Sequence, residues 1–423
     1  MNIVLVGPLY LPAIGGAEWH LKEIAEGLAR RGHEVTVVTA NARSARDVAE
    51  GIDGGLAEFE VINGVKVLRF RPDGGRWGSL WWRIPGATRC LSLVLGKERA
   101  QLLAGRPLLV ELIPYLARTR ADIVASMSWY WPPAYHTHLA RKLHRFTLVG
   151  IPIFHTAETW SYRGIYKTML ASCDAVITNT TYEANFVRER AATRVEVAGV
   201  GIDPRSFDCR NGSEIRTRYG LGTFPVVGFV GRQHTSKGLI TLLQAMKTVW
   251  KWNSDVRLVL AGPLSNRAKE VATAIEGLPN FEKERLVDIG TFSERDKASI
   301  YDSFDVFVLP SMAESFGIAY LEAWACGKPV IGARIGPTQC VIDEGIDGLL
   351  VDSNDPQDIA RAIIALLSDR EMRERMGRSG HAKTIAQYTW DKVTDKVEKL
   401  YLELVAAKRI SAPSFSQVER PSR

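Results

Sequence analysis

The stretch LPSMAESFGIAYLEAWACGKPVIG, residues 309–332, spans a strand end, a turn, a helix and the start of another strand. The apolar run Val306–Leu309 predicts a buried strand, and the apolar spacing that follows predicts a helix beginning near Phe316 or Gly317. A new apolar run from Val330 predicts the next strand. Strands that alternate with helices in this way indicate a parallel α/β sheet.

The same alternation extends over the rest of the chain. Helical patterns such as Ala17–Arg31 lie between most of the short β-branched runs. Uninterrupted apolar runs such as VVGFVG and LVLAG are typical of strands that are covered on both faces. We therefore predict an α/β protein with two doubly wound, Rossmann-like domains. The predicted strands of the first domain are Ile3–Val6, Val35–Thr39, Val65–Phe70, Ile123–Met127, Thr147–Ile153, Ala175–Asn179 and Val195–Ala198. Those of the second are Val226–Val230, Val256–Ala261, Leu286–Ile289, Val306–Leu309, Val330–Gly332 and Leu349–Val351.

The length of the chain, 423 residues, also favours two domains over one hydrophobic core. Two glycines and a proline in GVGIDPRSF, near Gly199–Ser206, predict the join. We expect a first domain over residues 1–200, completed by a helix over 390–408, and a second domain over 201–389. Residues 409–423 have little apolar periodicity and are predicted to be disordered.

The composition is that of an ordinary globular protein, with 46% hydrophobic and 24% charged residues and a net charge of +7. No apolar run reaches about 18 residues, and the N-terminus lacks the layout of a signal peptide. The five cysteines are scattered without a C-x-x-C motif, which favours reduced thiols over disulfides or a zinc site. These features predict a cytoplasmic protein without a transmembrane helix.

Positive charge is concentrated in residues 66–120, where 11 Lys and Arg face 3 Asp and Glu. The same segment contains tryptophans beside arginines, and a basic surface of this kind suits an anionic acceptor or the inner face of an anionic membrane. A solvated loop over a buried aromatic cluster is the alternative. The residues of this candidate surface are Arg76, Trp77, Trp81, Trp82 and Arg83.

Two glycine-bounded turns are candidate ligand sites. After the strand Val226–Val230, Arg232 and Lys237 can converge on one diphosphate, because ligands of open α/β sheets bind at the carboxyl ends of the strands. Two solvated surface cations are the simpler explanation of such a pair. In the first half, Gly15 and Gly16 open a helix whose N-terminus favours anions, although a tight turn would have the same residues. That spacing supports neither a nicotinamide-cofactor motif nor a P-loop.

The two glutamates of the opening stretch lie eight residues apart, Glu314 in the turn and Glu322 in the second turn of the helix. Carboxylates accept hydrogen bonds from hydroxyl groups, so the pair suits a polyol, with a sugar near the helix start and a ribose further along. The simpler alternatives are a helix N-terminal charge for Glu314 and a solvent-facing residue for Glu322.

Together these motifs resemble the retaining nucleotide-sugar glycosyltransferases of group 1, which are GT4-like and have the GT-B fold of two Rossmann-like domains facing across a cleft. The resemblance covers nearly the whole chain. It rests on GGAEWHLKEIAEGLARRGHEVTVVT (residues 15–39), GRxxxxKG (231–238), LAGP (260–263), IGTFSERDKASIYDSFDVFVLPS (289–311), ESFGIAYLEAWACGKPVIG (314–332) and DEGIDGLLV (343–351).

The resemblance implies a catalytic group of Arg232, Lys237, Glu314 and His155. The two cations would neutralise the donor diphosphate, Glu314 would contact the hydroxyls of the transferred sugar, and His155 would touch that sugar from the first domain. Position 156 is threonine where an aspartate is common. The implied donor-binding residues are Gly15, Gly16, Ser315, Phe316, Gly317 and Glu322, with Gly290, Thr291 and Phe292 near the base.

The implied reaction retains the anomeric configuration and uses the cation pair in place of a metal, since the chain has no D-x-D motif. No cofactor is expected. The partners would be a nucleotide-sugar donor and a sugar or lipid-linked acceptor, with no nucleic acid. Three alternatives stay open: a retaining glycosidase, which needs carboxyl groups about 5–5.5 Å apart, a nucleotide-sugar epimerase, and a non-catalytic nucleotide-sugar sensor. The single glycine Gly336, where a pair is common, predicts a differently shaped loop near the sugar.

Overall fold

The computed structural model describes residues 1–13, 15–74, 87–155, 159–264 and 269–411. They form two α/β units, each with one sheet of mostly parallel strands and helices on both faces of that sheet. Among the described residues, no helix is long and apolar enough to span a bilayer.

The first sheet has eight described strands in the order β3-β4-β2-β1-β5-β6-β7-β8. Each neighbouring pair is parallel except β3 and β4. The strands are β1 (Asn2–Val6), β2 (Glu34–Ala40), β3 (Phe59–Ile62), β4 (Val65–Phe70), β5 (Ile123–Met127), β6 (Thr147–Ile151), β7 (Ala175–Thr178) and β8 (Arg194–Val197). The α-helices of this part are Gly16–Arg30, Ala45–Glu50, Ala87–Leu95, Lys97–Ala104, Leu112–Arg118, Pro132–Leu143, Ile165–Ala171 and Thr181–Arg188.

The second sheet has six described strands, all parallel, in the order β11-β10-β9-β12-β13-β14. They are β9 (Val226–Val230), β10 (Arg257–Ala261), β11 (Leu286–Gly290), β12 (Val306–Leu309), β13 (Val330–Ala333) and β14 (Gly348–Val351). The helices around them are Gly212–Arg218, Leu239–Trp252, Lys269–Glu276, Asn280–Lys283, Glu294–Asp302, Ile318–Ala325, Gly336–Gln339, Pro356–Ser368 and Arg370–Gln387.

The predicted strands are confirmed, with ends that differ by at most two residues. The apolar pattern does not predict β3, which is short, lies at the sheet edge and alternates between exposed and half-buried residues. Its pairing with β4 is antiparallel, so it does not follow the strand–helix–strand pattern on which the prediction rests.

The last helix, Trp390–Ser411, packs on the helix Gly16–Arg30 beside the first sheet. Gly27 allows this approach, because a Cβ there would lie 2.6 Å from Thr394 Oγ1. Arg31 Nη2 lies 2.7 Å from Asp395 Oδ1 at the same contact. The helix ends at Ser411, three residues past the predicted end at 408, and basic residues in its last turn suit a helix C-terminus. Residues 412–423, the rest of the tail predicted to be disordered, lie outside the described residues.

The chain crosses between the two sheets twice, and the two crossings run side by side. The Ile202 N–H donates to the Tyr388 carbonyl at 2.9 Å, and the Trp390 N–H donates to the Ile202 carbonyl at 3.1 Å. The carboxyl ends of the two sheets face each other across a cleft next to these crossings.

Candidate active site

A cavity of about 500 Å³ lies in this cleft, within the size range of small-molecule sites. Both halves of the chain contribute to its wall, mainly through segments that follow strands. The first domain contributes Leu9, Ala13, Gly15, Gly16, Ala17, Glu18, His20, Arg43, Ser44, Ala45, Trp131, Ile153, His155, Asn179 and Val200. The second domain contributes Arg232, Lys237, Glu314, Ser315, Phe316, Gly317 and Ile318.

The second-domain wall is built from two turns that are bonded to each other. Lys237 Nζ lies 2.5 Å from Glu314 Oε1, and the Met312 N–H donates to the Ser236 carbonyl at 2.9 Å. Gly238 makes this approach possible, because it has a φ of +70° and a Cβ there would lie 2.0 Å from the Pro310 carbonyl oxygen. Arg232 also lines the cavity and is exposed. The ammonium is therefore fixed beside the carboxylate, while the guanidinium is accessible to a ligand that enters the cavity.

Two helices begin at the cavity wall, Gly16–Arg30 from the first domain and Ile318–Ala325 from the second. Gly15 and Gly317 are their N-caps, and neither provides a side-chain cap. Because backbone N–H groups at a helix start lack intrahelical partners and carry partial positive charge, both ends favour an anion in the cavity.

Glu322 lies about one turn after Ile318 in the helix Ile318–Ala325 and is not among the cavity-lining residues. Its Oε2 accepts a hydrogen bond from the Tyr301 hydroxyl at 2.7 Å, and its Oε1 lies 3.3 Å from Lys297 Nζ. Burial raises the pKa of Tyr301 well above its usual value, and the Glu322 carboxylate adds to the shift. Burial lowers the pKa of Lys297, but the carboxylates of Glu322 and Glu294 outweigh this and raise it.

Trp19 of the first domain lies against this second-domain cluster. Its ring centroid is 5.8 Å from Lys297 Nζ and 4.6 Å from Lys22 Nζ, within the range of cation–π contacts. The contact joins the helix Gly16–Arg30 to the helix Glu294–Asp302 beside Glu322.

The first-domain wall includes three titratable residues that were not predicted from the sequence, Glu18, His20 and Arg43, and the first two have shifted pKa values. Burial raises the pKa of Glu18, while a hydrogen bond from its own backbone N–H and the charge of Arg232 across the cleft oppose the shift. Burial lowers the pKa of His20 to about 4, so this imidazole is neutral at pH 7, and its ring packs 5.4 Å from that of Trp390. Glu18 and His20 lie at the start of the helix that Gly15 and Gly16 open, so the glycine pair was the feature of the sequence that could have pointed to them.

The loops after β6 and β7 form the rest of this wall and are joined by a buried carboxylate. Glu183 accepts hydrogen bonds from the Phe154 N–H at 2.7 Å and the Asn179 N–H at 2.8 Å. Burial raises the pKa of Glu183 to about 7, against the lowering effect of these two bonds. Ile153 has a φ of +55°, an unfavourable conformation for a β-branched residue. His155 lies two residues further on, and its carbonyl accepts a hydrogen bond from the Ser161 hydroxyl at 2.8 Å.

The structure thus brings nine of the predicted residues to one cavity: Gly15, Gly16, His155, Arg232, Lys237, Glu314, Ser315, Phe316 and Gly317. Glu322 and the segment Gly290–Phe292 do not line it. Gly290 ends β11 with a φ of +65°, Thr291 is exposed and Phe292 is half-buried. Thr156 and the candidate acceptor surface of Arg76, Trp77, Trp81, Trp82 and Arg83 lie outside the described residues.

Family models match both halves of the chain. Residues 14–206 match the model "Glycosyltransferase Family 4", and residues 213–383 match "Glycosyl transferases group 1". A D-inositol 3-phosphate glycosyltransferase from Corynebacterium glutamicum is 30% identical over 71% of this chain and 77% of its own. The chain belongs to the group 1 glycosyltransferases. An uncharacterized glycosyltransferase from Methanocaldococcus jannaschii is 27% identical to this chain, and the match covers 95% of this chain and 98% of the relative.

Solved structures agree on the architecture of this group 1 glycosyltransferase. Sucrose-phosphate synthase from Thermosynechococcus elongatus superposes with a TM-score of 0.75 at 23% identity, covering 96% of this chain and 99% of its own. Anabaena HepE in complex with UDP and glucose superposes with a TM-score of 0.71 at 19% identity, covering 95% and 100%. The two-domain fold is therefore GT-B, as the sequence predicted.

Proposed function

We propose that the protein transfers a sugar from a nucleoside-diphosphate sugar to a glycan or lipid-linked acceptor, with retention of the anomeric configuration and without a metal ion. One observation carries the proposal: Arg232, Lys237 and two helix N-termini converge on the cavity that also contains Glu314. This set is complementary to a diphosphate joined to a polyol. The UDP complex of HepE supports the same class of donor.

In the proposed reaction the bond between the anomeric carbon and the diphosphate oxygen breaks. Arg232, Lys237 and the helix N-terminus at Gly317 stabilise the negative charge that develops on the leaving diphosphate. The acceptor hydroxyl attacks from the same face and forms the new glycosidic bond, and its proton passes to a diphosphate oxygen. The products are the glycosylated acceptor and the nucleoside diphosphate.

Glu314 has a second function in this proposal. Its Oε1 holds Lys237 at 2.5 Å, so the carboxylate orients the ammonium before the donor binds. Its remaining lone pairs can accept hydrogen bonds from sugar hydroxyls. A glycosidase that used the two glutamates of the stretch 309–332 would need Glu322 beside Glu314, but Glu322 lies outside the cavity lining and is bonded to Tyr301 and Lys297. The arrangement therefore favours transfer over hydrolysis by this pair of glutamates.

The experiment is to incubate the protein with UDP-, GDP- and ADP-linked hexoses in EDTA, with inositol phosphates, oligosaccharides and extracted lipids as acceptors. We expect one donor to release its nucleoside diphosphate with an acceptor, and NMR of the product to show the donor's anomeric configuration. An inverted product, or release that requires a divalent metal, would contradict the mechanism. A product that is an epimer of the donor sugar, or binding without turnover, would favour one of the alternative functions.

We also propose that the basic, tryptophan-containing segment contacts an anionic membrane or an anionic acceptor at the inner face of the cell membrane. The support is its composition, with 11 Lys and Arg against 3 Asp and Glu over residues 66–120. Sedimentation with anionic liposomes should pellet the protein, and Arg76→Glu with Arg83→Glu should reduce the pelleted fraction. Pelleting that is absent, or that the double variant leaves unchanged, would contradict membrane contact.

A further inference from the structure

We propose that Glu183 is a positioning residue for catalysis, which holds two cleft loops of the first domain in the arrangement that presents His155 and Asn179 to the donor sugar. The inference rests on the proposed function. It concerns how the first domain takes part in turnover, not how the nucleotide binds.

The contacts of Glu183 connect three elements. The residue lies in the first turn of the helix Thr181–Arg188 and is 2% exposed. One carboxylate oxygen accepts the Phe154 N–H from the loop after β6, and the other accepts the Asn179 N–H from the loop after β7. Its own N–H donates to Thr180 Oγ1 at 3.1 Å, which fixes the helix start. A single side chain therefore sets the spacing between two strand-end loops.

A purely local helix cap would not need this arrangement. In a capping box the glutamate returns to the backbone N–H of its own N-cap residue. Here one oxygen instead reaches the neighbouring loop, 29 positions away in sequence. Burial of a carboxylate without a cationic partner is costly, and the two N–H groups are the hydrogen bonds that offset the cost. A buried carboxylate of this kind is expected where it fixes the spacing of two loops, which an apolar side chain could not do because it accepts no hydrogen bonds.

The loop that Glu183 holds contains strained backbone. Ile153, which lines the cavity, has a φ of +55°, and the bonded Phe154 N–H comes directly after it. A β-branched residue in this region persists only when its surroundings constrain it, and such strain is concentrated at functional sites. Without the bond, Ile153 can relax toward negative φ, and His155, two residues on, would move with the loop. Asn179, on the other loop, lines the same cavity.

The test uses Glu183→Gln and Glu183→Ala in the full chain, with Glu189→Gln as the matched control. Glu189 ends the same helix, and its side chain is 73% exposed. Gln keeps one acceptor oxygen and places an amide against the second N–H, whereas Ala removes both acceptors. We expect kcat for nucleoside-diphosphate release to fall at least tenfold in the Gln variant and further in the Ala variant, with the control unchanged. The affinity for the nucleoside diphosphate should stay within about twofold, because its proposed cations belong to the second domain.

The split between turnover and affinity separates positioning from a purely structural function. Loss of folded protein would lower the number of nucleotide sites and the rate in equal proportion, and that result would overturn the inference. So would a Gln variant with wild-type kcat. If the Ala variant does not fold, the Gln variant carries the test. Failure of the proposed function is a different result, in which the wild-type protein binds none of UDP, GDP and ADP or releases none from its sugar.

Discussion

The two walls of the cleft differ in the interactions that hold their functional groups in place. The second-domain wall places charged side chains at the cavity, where Lys237 and Glu314 form an ion pair, and a second pair, Lys297 with Glu322, lies outside the cavity lining. The first-domain wall relies on backbone: a helix start, two loops and a buried carboxylate, Glu183, that joins them. The second-domain wall therefore meets an anion with side-chain charges as well as with the helix N-terminus at Gly317, whereas we expect the first-domain wall to work only when its backbone is held.

Lys237→Ala should give the largest effect, because it removes a fixed positive charge from the point where the leaving diphosphate becomes more negative. We expect kcat to fall about 100-fold or more, as for other fixed donors to a developing anion. Steady-state assays of nucleoside-diphosphate release would measure it. Lys251→Ala, on the exposed face of the helix that follows the same turn, is the control. Equal losses in the two variants would mean that the second-domain wall is not the anion site.

The pH dependence of stability should reveal the buried carboxylate of the first-domain wall. Because the pKa of Glu183 is raised from 4.5 to about 7, the folded protein keeps a proton that the unfolded chain has lost between these values. Stability therefore falls as pH rises from about 4.5 through 7, by about 3 kcal/mol for this group. Glu183→Gln should lack that component in urea unfolding at pH 5 and pH 8. Parallel pH profiles for wild type and variant would show that Glu183 titrates normally.

Glu322→Gln should weaken binding of the nucleoside diphosphate about tenfold, the scale of one hydrogen bond to a charged group. The reason is that the resemblance implies a contact between this carboxylate and the ribose, although Glu322 lies outside the cavity lining, and that Tyr301 and Lys297 already orient it. Calorimetric titration measures the change. Glu294→Gln is a close control, since Glu294 also pairs with Lys297 at 2.6 Å but its side chain is 53% exposed. If the control loses as much affinity, the effect comes from Lys297 and not from a ribose contact.

Trp19→Ala should have the smallest effect, because it removes one cation–π contact between the two domains and leaves every side chain that lines the cavity in place. The cation–π contact with Lys297 corresponds to about 0.5–1 kcal/mol at an exposed site. We expect KM for the donor to rise about two- to fivefold with little change in kcat. A large loss of kcat would instead place Trp19 in the catalytic arrangement of the first-domain wall.

The difference between the walls also explains what the sequence could predict. Apolar runs and glycine turns were enough for every described strand except β3, for the two sheets and for the strand-end positions of Arg232, Lys237 and Glu314, because those signals are local. The ion pair between Glu322 and Lys297 and the hydrogen bond from Tyr301 to Glu322 depend on how the helices Glu294–Asp302 and Ile318–Ala325 pack. The spacing of apolar residues in the sequence does not specify that packing.

The first-domain wall was less predictable. His155 was selected by resemblance, but Glu183 was not selected at all, although Thr180 and Glu183 have the spacing of a capping box. A capping box is a common local device, and nothing in the sequence shows that one oxygen reaches Phe154 on a neighbouring loop. The left-handed backbone of Ile153 is likewise a consequence of tertiary contacts and is invisible in composition.

The most direct test of the central claim is calorimetric titration with UDP, GDP and ADP, without divalent metal, of the wild-type protein, Lys237→Ala and Glu322→Ala. We expect one nucleoside diphosphate to bind the wild type at one site per chain and both variants to bind it at least tenfold more weakly. Binding that is absent in the wild type, or equally tight in all three proteins, would contradict the assignment of this cleft as a nucleotide-sugar site.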